Sequence, residues 1–331
     1  MSAGTMIKTH FRDVGDTLTP FNSIYQTLAR GLQKRRDARA ERTHWPQWFL
    51  LLGERERSHW SAPDPAGLKP LYPPVDRFWA DPFAWSEGGR RFIYLEEYPL
   101  HTARGRISAL EIGAGLEPLG PAVPVIDEDR HLSYPFLFRF GGDLYLVPES
   151  AASRRVDLYR CDHFPFGWTR VGTLLADIQA ADATLFEHQG RWWLFCSARQ
   201  GKARFNNSLF AFHADSPLSD RWTAHPGNPL VLDYAGARPG GRVFVDDQGR
   251  LLRPVQHSVP RYGYGLGLNE VLELTPERFR ERSIWQATGE AAGGWRAMHH
   301  LDWHQGLMVM DAQRLIPRPA PGTLTTQGTF G

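Results

Sequence analysis

Five polar residues each stand at the head of a short apolar run: Asp81 before Pro82-Phe83, Tyr134 before Pro135-Phe136, Asp182 before Ala183-Thr184-Leu185-Phe186, Arg238 before Pro239-Gly240, and His299 before His300-Leu301. Brought to one place, two carboxylates beside a guanidinium and an imidazole suit glycosyl transfer. Making or cleaving a glycosidic bond passes through an oxocarbenium-like state that a carboxylate stabilises, and the hydroxyl partner needs an acid or a base. Asp81 and Asp182 form the natural catalytic pair. Glu149, in Pro148-Glu149-Ser150, and Glu96 or Glu97, at the end of a predicted hairpin, supply further acid or ligand groups. At one position alone a polar residue before a strand is more often a turn former or a cap. The recurrence at five positions is what points to a site.

Arginine is the second signal. Arg104 and Arg106 follow the first of these segments, Arg154 and Arg155 the second, and Arg199, Lys202 and Arg204 the third, while Arg238, Arg242 and Arg253 fall within the fourth. A planar guanidinium fork matches phosphate. The expectation is an anionic sugar donor whose phosphate is held by Arg238 and Arg242, with Tyr134, His299, His131, Arg106 and Glu97 as further substrate contacts. No cofactor is called for: the sequence has no P-loop, no glycine-rich dinucleotide turn and no zinc spacing. His131, His299 and His300 could together hold a divalent metal, although scattered histidines are more often structural.

These residues need a scaffold that turns them toward one axis, and the sequence repeats one. Each segment continues as an apolar strand, a turn containing Gly, and an aromatic-rich strand. Gly88-Gly89 leads to Phe92-Ile93-Tyr94-Leu95, Gly141-Gly142-Asp143 to Leu144-Tyr145-Leu146-Val147, and Gln189-Gly190 to Trp192-Trp193-Leu194-Phe195. Asp247-Gln248-Gly249 leads to Leu251-Leu252, and Gln305-Gly306 to Leu307-Met308-Val309-Met310. These are β-hairpin signals. The five polar residues are 53, 48, 56 and 61 residues apart, the length of one four-stranded propeller blade. The predicted fold is an all-β, five-bladed β-propeller over residues 45–315. A partly helical or flexible extension covers residues 1–44, and a Pro-, Gly- and Thr-rich tail covers 316–331. Trp48-Phe49-Leu50-Leu51-Leu52 reads as the strand that closes the ring against the last blade. A β-sandwich with coincidental hairpins is the alternative.

Composition removes other classes. The chain has 331 residues, 42% apolar and 12% aromatic, with a net charge of +2, which argues against disorder and against a dedicated nucleic-acid binder. Cys161 and Cys196 allow at most one disulfide. No run of 18 apolar residues and no apolar leader is present, so the expected location is cytoplasmic. The helix-compatible segment 22–43, with Lys34-Arg35-Arg36, leaves open a peripheral attachment to the inner membrane surface.

Taken together, Phe78-Trp79-Ala80-Asp81-Pro82-Phe83, His131-Leu132-Ser133-Tyr134-Pro135-Phe136, Val147-Pro148-Glu149-Ser150, Ala181-Asp182-Ala183-Thr184-Leu185-Phe186-Glu187, Ala237-Arg238-Pro239-Gly240-Gly241-Arg242, Tyr262-Gly263-Tyr264-Gly265 and Asn269-Glu270 resemble the N-terminal domain of glucosamine inositolphosphorylceramide transferases and its bacterial relatives. That domain is in turn similar to the five-bladed propellers of glycoside hydrolase family 43. The resemblance implies that Asp81 corresponds to the first-blade aspartate of such glycosidases, a base or nucleophile-like carboxylate. It also implies a role in polysaccharide or glycoconjugate assembly, with a furanosyl or phosphoribosyl-type donor and a glycan or lipid-linked acceptor. Tyr134 stands where many of the hydrolases place an aspartate. The separate glycosyltransferase domain of the plant members is not recognised here, so glucosamine transfer is not implied. A glycosyltransferase is the leading reading; a furanoside hydrolase and a non-catalytic sugar-binding propeller remain as alternatives.

Overall fold

The computed structural model describes residues 20–55 and 60–318. The expected frayed tail from residue 319 onward and the first part of the N-terminal extension lie outside the described residues. Helix α1 (Pro20–Ala40) precedes strands β1 (His44–Glu54) and β2 (Lys69–Leu71). Four strand groups follow: β3 (Arg77–Glu87), β4 (Arg90–Pro99), β5 (Arg106–Ile112) and β6 (Val123–Ile126); then β7 (Ser133–Phe140), β8 (Asp143–Glu149), β9 (Arg155–His163) and β10 (Gly167–Ala176). The third group is β11 (Ala180–His188), β12 (Arg191–Ala198), β13 (Ser208–Ala214), β14 (Thr223–Ala224) and β15 (Val231–Leu232), and the fourth is β16 (Phe244–Val245), β17 (Leu251–His257), β18 (Gly265–Leu274) and β19 (Phe279–Thr288). The short helix α2 (Gly289–Gly293) leads to β20 (Leu301–His304) and β21 (Leu307–Pro317).

Each group is one antiparallel sheet, and the five sheets are the blades of a β-propeller. The inner hairpins turn as the sequence suggested. Gly88-Gly89 and Gly141-Gly142 have both φ values positive, at 60° and 77° and at 59° and 90°, the geometry that matches the twist of paired strands and favours glycine.

The fifth blade is shared between the chain ends. Its order is β2-β1-β21-β20, and β1 pairs with β21 along its whole length, from His44 opposite Pro317 to Glu54 opposite Leu307. The Trp48–Leu52 segment therefore closes the ring, as its apolar run implied. Side chains alternate across a strand, and both faces of this blade are covered. Phe49 and Leu51 pack with Met308, Met310 and Leu266 on one side. Leu50 and Leu52 pack with Val309, Ile93 and Leu110 on the other. A strand buried on both faces needs no polar alternation, hence the unbroken Phe49-Leu50-Leu51-Leu52.

The fourth blade departs from the repeat. Its inner strand β16 has two residues, and the preceding Gly240-Gly241 segment leans on the fifth blade. Leu301 donates its N–H to the Gly240 carbonyl at 2.9 Å. A Cβ on Gly241, whose φ is 143°, would lie 1.8 Å from the Leu301 carbonyl oxygen, so only glycine permits the approach.

Helix α1 rests on the propeller through charge. Asp37 meets Arg261 at 3.1 Å and Arg296 at 3.0 Å, and Arg296 also meets Glu41 at 2.6 Å. Among the described residues no helix is long and apolar enough to cross a membrane.

Candidate active site

Three blades place their polar residue on the axis by the same local distortion. Pairing between β3 and β4 slips between Ala80 and Phe83, between β7 and β8 from Ser133 to Phe136, and between β11 and β12 from Ala181 to Thr184. Each slip is a β-bulge, and the residue in it is left-handed: Asp81 at φ 49°, Tyr134 at 45° and Asp182 at 57°. Bulges re-aim a side chain. A non-glycine residue in this region carries a cost of about 1–2 kcal/mol, which a fold retains most readily at a functional site. Arg238 and His299 reach the same region without a positive φ, from the irregular fourth blade and from the loop before β20.

Asp81 is buried at the centre. Its Oδ2 accepts from the Tyr134 N–H at 3.2 Å, and its own N–H donates to Asp311 at 3.0 Å. His299 Nε2 lies 3.7 Å from Asp81 Oδ1, while its Nδ1 sits 2.8 Å from Asp311 Oδ1. Asp311 also accepts the backbone N–H groups of His299 and His300, each at 3.0 Å. Asp311 thus orients His299 toward Asp81. Trp48 stacks on the imidazole from β1, with ring centroids 4.1 Å apart.

The second half of the site is built on Asp182. Arg238 grips it with two nitrogens, Nε at 2.5 Å and Nη2 at 3.1 Å, and Gln256 donates to it at 3.1 Å. Arg238 continues to Asn206 at 2.7 Å, approaches Glu149 at 3.8 Å, and lies over the Tyr262 ring. Tyr134 Oη meets the Thr184 hydroxyl at 2.7 Å.

Five carboxyl groups, Asp81, Glu96, Glu149, Asp182 and Asp311, share two principal cationic partners. Buried like charges resist simultaneous ionisation. Burial lifts Asp81 to about 7, with His299 pulling it back and Asp182 and Asp311 adding to the rise. Burial, then Asp81 and Glu149, hold Glu96 well above the carboxylate range. Burial and Asp182 do the same for Glu149 against the pull of Arg238. Burial acts to raise Asp311 as well, but the charge and hydrogen bonds of His299, together with His300, hold it below the usual carboxylate range. Burial disfavours the charged form of His299, but Asp311 and Asp81 overcome it and raise its pKa. His300, buried beside Phe83 and Tyr134, is pushed down to about 3 and stays neutral. The arrangement can hold exchangeable protons near neutral pH next to fixed positive charge.

Asp81, His299 and Asp311 also form the one group among the described residues with metal-ligand atoms within 4.8 Å of one another. Asp311 is already committed to four hydrogen bonds within the group, and His299 Nε2 stays 3.7 Å from the Asp81 carboxylate, so the three read as a charge cluster ordered by Asp311. His131 is not part of it.

The other residues singled out from the sequence lie in different surroundings. His131 sits at the Glu96 end, with Nε2 3.4 Å from Glu96 and Nδ1 accepting from the Gly105 N–H. Glu97 is buried inside the first blade, bound by Arg77 at 2.9 Å, Arg106 at 2.9 Å and Ser108 at 2.9 Å. Arg106 also reaches Asp127. Arg242 pairs with buried Asp302 at 2.8 Å, donates to the Leu137 carbonyl and lies over Phe136. Asp302 in turn accepts the Ala84 N–H, so this pair cross-links four blades along the axis.

Asp311, Tyr262, Gln256, Asn206 and Trp48 were not singled out as site residues. Asp311 had a usable signal: it follows Leu307-Met308-Val309-Met310 directly, an acid breaking an otherwise apolar run within β21. Gln256 and Asn206 had none.

A family model described as glucosamine inositolphosphorylceramide transferase 1, N-terminal, matches residues 72–316. The chain belongs to this family. It is 35% identical over 271 residues to glucosamine inositolphosphorylceramide transferase 1 of Oryza sativa subsp. japonica, covering 77% of this chain and 35% of the relative. The Arabidopsis thaliana protein of the same name is 33% identical over 239 residues, covering 69% of this chain and 30% of its own length. The chain thus spans about a third of the curated relatives it matches. Among solved structures, the catalytic domain of the Coprinopsis cinerea GH62 α-L-arabinofuranosidase aligns with TM-score 0.53 at 12% identity, over 71% of this chain and 90% of that one. A putative glycoside hydrolase from Parabacteroides distasonis aligns with TM-score 0.52 at 13% identity, over 79% and 95%. At such identities the likeness establishes the fold of the family's propeller and nothing about its chemistry.

Proposed function

We propose that this member of the family is a glycosyltransferase that moves a sugar from an anionic activated donor to a glycan or lipid-linked hydroxyl acceptor, with Asp81 at the reacting centre. The observation that carries this reading is the buried cluster in which Asp81 titrates near neutrality between His299 and the Arg238–Asp182 pair. The names of the curated relatives support a transferase.

In this reading the ionised Asp81 takes the proton from the acceptor hydroxyl as that oxygen bonds to the anomeric carbon. The bond from the anomeric carbon to the donor's phosphate oxygen breaks, and its electron pair leaves with the phosphate. His299, fixed by Asp311, stabilises the Asp81 carboxylate. Glu149 and Glu96, whose burial favours the protonated form, offer hydrogen bonds to sugar hydroxyls, and Asp182 fixes Arg238 beside the developing charge. Preorganised charge of this kind is the largest usual source of transition-state stabilisation.

The test is a crystal structure with a sugar-diphosphate or phosphoribosyl-pyrophosphate donor. The anomeric carbon is expected within about 3.5 Å of Asp81 or of an acceptor oxygen bound to it. A sugar ring seated elsewhere overturns the assignment. Release of free sugar at the same rate with and without acceptor would favour the hydrolase instead.

A further inference from the structure

Above Arg238 the site opens into a cavity of about 420 Å³ lined by Arg30, Arg199, Arg204, Asn206, Arg238 and Tyr262 among others, a volume in the range of small-molecule sites. Its four arginines are not equivalent. Arg238 is neutralised, gripped by Asp182 and close to Glu149. Arg30, Arg199 and Arg204 have no carboxylate within 4.0 Å among the described residues, yet each is held in place. The Arg30 guanidinium lies 4.1 Å from the Tyr234 ring centroid and donates one N–H to the Ser258 carbonyl at 2.8 Å. Arg199 lies over the Phe205 ring at 4.5 Å. Arg204 spends Nη1 on the carbonyls of Gly201 and Ala203. A guanidinium has five N–H donors, so each keeps several for a ligand.

We propose that Arg30, Arg199 and Arg204 form a seat for a multiply charged phosphate group, and that helix α1 completes it. This rests on the transferase reading for which substrate the phosphate belongs to, but the seat itself does not. Three anchored, uncompensated guanidiniums facing one cavity suit a diphosphate or phosphomonoester, whose oxygens accept paired N–H donors. Arg238 and Tyr262 belong both to this cavity and to the carboxylate cluster, so the phosphate lies at the mouth and the sugar in the depth. Arg30 comes from α1, upstream of the segment 72–316 that the family model matches. Its placement depends on Asp37, which docks the helix onto Arg261 and Arg296. The phosphate seat therefore moves from the Arg238 and Arg242 pair expected from sequence, both engaged by carboxylates, to arginines at the rim.

The shared phosphate chemistry has two sources, the donor's diphosphate and a phospholipid headgroup on the acceptor side. Titration calorimetry of the full chain with pyrophosphate, and binding to phosphatidylcholine vesicles with and without phosphatidic acid, whose headgroup is a phosphomonoester, separate them. Arg199→Ala, Arg204→Ala and Arg30→Ala are each expected to weaken pyrophosphate binding ~10-fold or more, the scale of a charge-assisted hydrogen bond. Asp37→Ala, which touches no ligand, should reproduce the Arg30→Ala loss by releasing the helix. Arginine-dependent binding of the vesicles alone assigns the seat to the lipid phosphate and also upholds it. Affinity for both probes that is unchanged in all three arginine variants, or no binding of either probe to the wild type, overturns the proposal. Asp81→Asn keeps the two readings apart. If that variant retains turnover while the arginine variants lose pyrophosphate, the transferase assignment falls and the phosphate seat stands; the converse pattern leaves the transferase and removes the seat.

Discussion

Trp48, on the strand that closes the propeller, lies flat against His299, their ring centroids 4.1 Å apart and their planes 15° from parallel. One face of the imidazole is thus covered from the other end of the chain. Tyr262 packs edge-on against the same imidazole, and Asp311 holds its Nδ1, so His299 has one orientation.

Trp48 is therefore a positioning residue. Trp48→Leu is expected to lower kcat ~10-fold, since small misplacements of a reacting group are costly. It should also move the acidic limb of the kcat/KM profile to higher pH, because His299 lowers the pKa of Asp81. Trp48→Phe, which keeps a ring on the imidazole, should recover most of the rate. A loss of activity with an unshifted pH profile would reduce Trp48 to a packing role.

The ring closure predicts a sharp boundary in truncation. Removing residues 1–43 leaves β1 paired with β21, whereas removing residues 1–54 strips the fifth blade of a strand bonded from His44 to Glu54. The first truncation should unfold cooperatively in urea and the second should be insoluble or lack a transition. Equal stability of the two would contradict the closure. The family match begins at residue 72, so β1 lies outside the segment that identifies the chain although the ring depends on it.

A buried ion pair sets the stability of the fourth blade. Arg253 donates to Glu281 from Nε at 2.9 Å and Nη2 at 2.6 Å, with both side chains inaccessible. Glu281→Ala leaves a buried guanidinium unpaired and should cost about 3–5 kcal/mol, read as a fall in the urea midpoint at constant slope. Conversion of Arg253 as well, to Met, should recover part of that loss.

The carboxylate cluster carries a pH signature. The folded pKa of Asp81 is raised to about 7, above the ordinary aspartate value of about 3.9. Between those values the folded state binds the extra proton, so Asp81 lowers stability as pH rises through this window. Asp81→Asn removes the penalty. Its melting temperature should exceed that of the wild type at pH 8, with the gap closing toward pH 5. A gap that is constant with pH would show that Asp81 is not raised.

The propeller was legible because its signals are local and repeated: Gly turns, short apolar strands and a spacing near fifty residues. The site was legible in part for the same reason. Asp81, Tyr134 and Asp182 sit at one position of the repeat, and the bulge that turns each inward occurs three times. Asp311 and Trp48 were missed as site residues because they reach the axis from the second and third strands of the fifth blade, outside that register. Arg242 and Glu97 carry the right chemical groups, but the sequence does not say which arginines and carboxylates will pair: Arg242 finds Asp302 across the axis, and Glu97 finds Arg77 and Arg106 within its own blade. Such pairings depend on the packed geometry of the blades and leave no spacing to read.

The most direct measurement of the central claim is the turnover of Asp81→Asn against a panel of sugar-diphosphate and phosphoribosyl donors with a hydroxyl acceptor. The expected result is a loss of ~100-fold or more, the scale of general-base catalysis, in a protein that melts no lower than the wild type. Wild-type turnover in Asp81→Asn would contradict the account, because it would remove the reacting centre from the carboxylate cluster.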